Sequence, residues 1–81
     1  MDLTYEETRA LLLAEVETHR KEIEARARRS GELARSDIDI IRSYESGSPV
    51  PQELAAYRQA LRDITLQPRF PNEIVWPVKP E

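Results

Sequence analysis

Hydrophobic positions in this chain follow helical spacing as far as Ile64, then change at Gln67-Pro68 to an extended pattern broken by prolines. In the first segment Leu12, Val16 and Ile23 keep helical spacing, with Tyr5, Leu13 and Ala27 on the flanks and His19 in the same seam. From Thr4 to about Arg29 there is no Gly or Pro, and Ala, Leu, Glu, Arg and Lys fill most positions. Thr4 followed three residues later by Glu7 is a capping-box pattern. Glu17–Lys21, Glu22–Arg26 and Glu24–Arg28 sit four apart with the acid first, the favourable orientation. Acids crowd the first turn and Arg26, Arg28 and Arg29 the last, which complements the helix dipole. The apolar stripe is nonetheless narrow. A helix buried in a globular core carries a face about 100° wide, whereas a narrow stripe suits a coiled-coil seam. This helix needs a partner, and a self-associating bundle or a second protein would serve equally.

Ser30-Gly31 weakens the helix, although Glu32-Leu33-Ala34-Arg35 can carry it on, since an interior Gly costs only about 1 kcal/mol against Ala. Ser36 or Asp37 is the next N-cap candidate. A short second helix is expected through Ile38, Ile41 and Tyr44, stopping at Ser46-Gly47-Ser48-Pro49. Pro51 suits the first turn of a third, whose face is Leu54, Tyr57, Leu61 and Ile64. The intervening loop is short, so the second and third helices should form an antiparallel hairpin. Beyond Gln67 the prolines at 68, 71, 77 and 80 push their preceding residues toward extended conformations. Ile74, Trp76 and Val78 then alternate on one side, with Val75 on the other. Pro77 has no N–H, so this segment reads as a strap and not as a sheet element.

Composition narrows the chemistry. At 81 residues the chain is a single small domain, near the size at which one core supplies only about 3–5 kcal/mol. It has no Cys and one His, so disulfides, Cys–His sites and the usual zinc sets are excluded. Its two glycines, Gly31 and Gly47, make no phosphate loop. Asp37 and Asp39, two apart on a helix, point in different directions and do not form an acid–base pair. His19 reads as a solvated residue beside Glu15. The run Arg26-Ala-Arg-Arg29 is interleaved with Glu22, Glu24 and Glu32, and so is not the unopposed basic face that nucleic acid needs. Net charge is −3 with both signs mixed, no apolar run reaches transmembrane length, and the acidic N-terminus lacks the regions of a signal peptide. The expectation is a cytoplasmic protein with no enzymatic activity, cofactor, metal, nucleic-acid or membrane role.

A set of motifs then carries a resemblance. Ser36-Asp37, Ile41-Arg42, Glu45-x-Gly47, Pro51 and Tyr57-Arg-Gln-Ala-Leu-Arg-Asp63 are followed by Gln67-Pro-x-Phe-Pro71 and Val75-Trp-Pro-Val-Lys-Pro80. Over residues 33–81 this resembles the bacteriophage tail assembly chaperone family, small proteins often encoded beside tail-fibre genes. Ile38 stands where that family commonly has Trp, and Arg69 where it commonly has Gly. The long N-terminal helix lies outside the motif set.

The combined reading is an all-α chain: a long N-terminal helix (1–31) for a partner or for oligomerisation, a short helical hairpin (32–67) and an extended Pro-rich C-terminal strap (68–81). The resemblance implies a phage tail or tail-fibre assembly protein working by protein–protein contact. Its client is then a tail or tail-fibre protein, met in the host cytoplasm during assembly. The alternative is a structural virion component that joins fibre to tail or baseplate and stays in the virion tail. Candidate contact residues are Leu12, Val16, Ile23, Tyr57, Leu61, Phe70, Ile74, Trp76 and Val78. A homo-oligomer is also expected, and three copies follow from the resemblance, since phage fibres are commonly trimeric. Tyr57, Leu61 and Ile64 are expected to form the ledge against which Phe70 or Trp76 packs.

Overall fold

The computed structural model describes residues 2–80 and measures 66 × 18 × 17 Å. Its long dimension is one helix. α1 spans Tyr5–Ser46, 42 residues, and α2 spans Gln52–Arg62, followed by a 3₁₀ turn over Asp63–Leu66. No strand occurs among the described residues. The chain is all-α, with a long N-terminal helix followed by a shorter one.

The ends of α1 are set by local chemistry. Thr4 keeps an extended backbone, and its Oγ1 accepts from the Glu7 amide at 3.1 Å, satisfying one of the free N–H groups of the first turn. At the other end Gly47 takes φ +72°, a conformation that side chains disfavour. Its amide donates to the Tyr44 carbonyl at 3.2 Å and the Ser48 amide to the Ser43 carbonyl at 3.1 Å, the paired bonds of a Schellman stop. Pro49 and Pro51 follow, and α2 begins directly after Pro51.

The expected break near Ser30-Gly31 does not occur: the first and second expected helices are one. The cost of Gly31, about 1 kcal/mol, is small beside the packing of the residues on either side. Ser36 is no N-cap. Its hydroxyl is 1 % exposed and donates to the Leu33 carbonyl at 2.8 Å, inside the helix. The ion pairs also differ in part from their expected partners. Arg26 bonds Glu22 at 2.9 Å as its spacing predicts, but Glu24 pairs with Arg20, and Arg28 turns to Glu32 at 3.4 Å. Arg20 also bonds both oxygens of Glu17, and those hydrogen bonds hold the Glu17 carboxyl below its ordinary range.

The hairpin is formed by the C-terminal half of α1 against α2. Ala25, Arg29, Leu33, Ser36, Ile40 and Ser43 step by three or four along one face of α1, and each is buried or half-buried. Against that face α2 turns Leu54, Tyr57 and Leu61, which cluster with Leu33, Ile40 and Trp76. Leu61 and Ile64 are fully buried. The two helices run antiparallel, as Arg29 donating to the Arg62 carbonyl at 3.3 Å and Arg58 meeting Ser36 both require.

After Gln67 the chain turns over residues 68–73, the Asn72 amide donating to the Arg69 carbonyl at 2.8 Å, and the Phe70-Pro71 peptide is cis. Residues 74–80 have no regular secondary structure. Burial here does not alternate strictly. Ile74, Trp76, Pro77 and Pro80 are half-buried, while Val75 and also Val78 are exposed. A segment shaped by prolines, with no sheet ladder, is under no obligation to a period of two.

Candidate partner-binding surface

Three groups of side chains hold the hairpin in shape. The first is built on Arg58, whose guanidinium bonds the Ser36 hydroxyl, the Leu33 carbonyl at 3.2 Å and the Asp37 carboxylate at 2.8 Å. Its side chain is only 16 % exposed, so the charge is nearly enclosed, with Asp37 as its counter-charge. Ser36-Asp37 and Tyr57-Arg58, far apart in sequence, therefore meet in space. The second group closes the turn after α2. Gln67 donates from its side-chain nitrogen to the Val75 carbonyl at 2.8 Å, and its oxygen accepts from the Val75 amide at 2.9 Å. One side chain thus satisfies both backbone groups of Val75, as a neighbouring strand would.

The third group lays the end of the chain on α1. The Arg28 guanidinium lies 4.0 Å from the centre of the Trp76 ring, and Arg26 lies 5.8 Å from that of Phe70. Lys79 reaches Asp39 at 3.1 Å, while Asp37 points to Arg58, so the two acids do diverge. Trp76 meets Arg28 and packs against the Leu54/Tyr57/Leu61 cluster. A shallow groove lined by Ala25, Arg28, Pro71, Ile74 and Trp76 runs where tail meets helix.

What remains is the other face of α1. Tyr5, Leu12, Val16 and Ile23 are all more than half exposed, at 81, 57, 65 and 55 %. No described residue of α2 or the tail covers them, because the hairpin packs on the C-terminal half of the helix and on its other face. The same line continues through Ala27 and Ala34 to Ile41, 55 % exposed, with Leu13 and Ile38 at its edge. Five residues on from Ser36, Ile41 is about 140° round the helix from the face that meets α2. The stripe is therefore continuous along α1 and turned away from the hairpin.

The candidate contact residues accordingly fall into two sets. Leu12, Val16 and Ile23 lie on the open stripe. Tyr57 and Leu61 are buried inside the hairpin, with Trp76, Ile74 and Phe70 half-buried around it and Val78 at the surface. The structure does not bring the two sets together. Arg58 and Arg28 were not among the candidates, although a single Arg on an otherwise apolar helix face was a signal for the first. Ile41 and Ile38, which complete the stripe, were assigned to a separate helix.

The model of the phage tail assembly chaperone protein family matches residues 22–81, which is most of the chain. The chain belongs to that family. The match begins at Glu22 and not at Leu33, so the central part of α1 lies inside the family region, contrary to the motif-based boundary. Ala25 and Arg28, three and six residues past Glu22, are where the tail lies on the helix. Residues 5–21 are the part of α1 that overhangs the hairpin. No curated protein and no solved structure matches the chain. No group of His, Cys, Asp or Glu suited to a metal ion occurs among the described residues, and no described helix is long and apolar enough to cross a membrane.

Proposed function

We propose that this tail assembly chaperone works by covering an apolar surface of a phage tail or tail-fibre protein with the stripe on α1. It does so in the host cytoplasm during assembly, without catalysis, and leaves before the particle is complete. The observation that carries this reading is the exposure of Tyr5, Leu12, Val16 and Ile23 on a half-helix that packs on no other element among the described residues. Isolated helical segments are marginal in water, and most helical stability in proteins comes from packing an apolar face. A stripe left open along such a helix is a surface prepared for another molecule. The hairpin supplies the rigid base, and copies of the chain associate through α1 when no client is present.

A connector that remains between fibre and tail needs the same open stripe. Mass spectrometry of purified particles separates the two. Absence of the chain from finished virions is the expected result, and stoichiometric presence would establish the connector instead.

A further inference from the structure

We propose that a second copy of this chain covers the stripe, with the two α1 helices antiparallel and Ile23 on the two-fold axis. The inference rests on the reading of the stripe as a contact surface, and it specifies what occupies that surface when no client is bound.

The stripe has a register that matches itself when reversed. Tyr5, Ile23 and Ile41 are spaced by 18 residues, five turns of a straight α-helix, and so stand in one line along α1. Reversal about Ile23 places Tyr5 opposite Ile41, Leu12 opposite Ala34 and Val16 opposite Ser30. His19 falls opposite Ala27. Leu12, Val16 and His19 thus meet the small residues Ala34, Ser30 and Ala27, while Ile23 meets its own copy at the axis and Tyr5 meets Ile41 at each end. In a parallel in-register pair Leu12 would meet Leu12 while Ser30 and Ala34 met their own copies, leaving the second half of the seam underfilled. Interiors are packed without such voids, and facing positions of unlike size interdigitate best.

Charge does not select the register: Arg20 and Glu24 are already paired within one chain, and reversal about Ile23 brings Arg20 level with Arg26 and Glu24 level with Glu22. The register rests on the size pattern of the stripe. The α2 helices of both copies lie on the outer sides of the pair, because α2 packs on the opposite face of α1.

Area sets the strength. The overlap from Tyr5 to Ile41 is about 55 Å long and, at roughly 10 Å across, offers on the order of 500 Å² per copy. The pair would bury about 1,000 Å² in total, at the lower bound of specific interfaces. Such a pair forms reversibly and yields to a client that buries more.

The test uses the free chain and single-cysteine variants, which are unambiguous because the protein has no cysteine of its own. A disulfide requires Cα atoms within about 7 Å. Ile23→Cys alone should oxidise to a covalent dimer. Leu12→Cys alone should not, whereas Leu12→Cys mixed with Ala34→Cys should cross-link roughly tenfold faster than either by itself. All three positions are solvent-exposed, so the variants should melt like the parent. Cross-linking of Leu12→Cys alone at the rate of the mixture overturns the antiparallel register. Sedimentation of the parent as a monomer up to millimolar concentration, with no cross-linking by Ile23→Cys, overturns the pair altogether. That second result leaves the client-binding reading intact, since client contact is measured separately by co-expression.

Discussion

The Arg28 guanidinium lies over the Trp76 indole, 4.0 Å from the ring centre, and through it the end of the chain is tied to the middle of α1. The indole also packs against the cluster of Leu54, Tyr57 and Leu61, so one aromatic side chain links the long helix, α2 and the tail. Indole fluorescence of the free protein should therefore be blue-shifted. Arg28→Ala removes a cation–π contact of about 1 kcal/mol, and Trp76→Ala removes about 2 kcal/mol of burial. Thermal melts should show the two losses in that order, with a red-shifted emission in the Arg28 variant. Water-exposed emission in the parent, with unchanged melts for both variants, would contradict this placement of Trp76.

Arg58 is the polar staple of the hairpin. Arg58→Ala leaves the Ser36 hydroxyl with one bond fewer and Asp37 without its partner, and should cost about 2–3 kcal/mol. All three acceptors meet one guanidinium nitrogen, Nη1, so Arg58→Lys, whose ammonium also offers several donors from one nitrogen, should recover part of the loss. Arg42→Ala, at an exposed position with one long contact, should stay within about 0.5 kcal/mol of the parent. Chemical denaturation of the three variants checks the contrast.

The two glycines should respond to alanine with opposite signs. Gly47 sits at φ +72°, so Gly47→Ala strains the backbone and should destabilise by about 1 kcal/mol even though an added Cβ meets nothing. Gly31 is inside α1, and a Cβ there would meet only the flexible end of Arg35, at 3.4 Å. Gly31→Ala should raise stability by about 0.5–1 kcal/mol through helix propensity. Melting temperatures of the two variants should move in opposite directions. A drop for both would mean that Gly31 is needed for a close approach.

These contrasts also mark what the sequence made legible. Thr4, Gly47 and Pro51 announce helix ends through chemistry confined to a few neighbouring residues, and the structure places the ends there. The face Leu54, Tyr57, Leu61 was readable because its spacing is regular. Gly31 was ambiguous because its cost is local while the compensation, packing of Leu33, Ser36 and Ile40 on α2, is tertiary. Ser36 looked like a cap for the same reason: its partner Arg58 is remote in sequence, and spacing alone does not pair them. The break expected at Gly31 also hid the full stripe, since Ile41 joins Tyr5 and Ile23 only when α1 is one straight helix.

The open stripe is tested most directly by a variant that alters it and nothing else. Leu12→Gln with Val16→Gln keeps good helix formers at both positions and touches no residue of the hairpin. At concentrations too low for the chain to self-associate, this double variant should melt within about 0.5 kcal/mol of the parent. On co-expression with the tail or tail-fibre protein it should lose most of the soluble, assembly-competent yield that the parent supports. A double variant that melts normally and supports the same yield as the parent would contradict the assignment of the α1 stripe as the surface that meets the client.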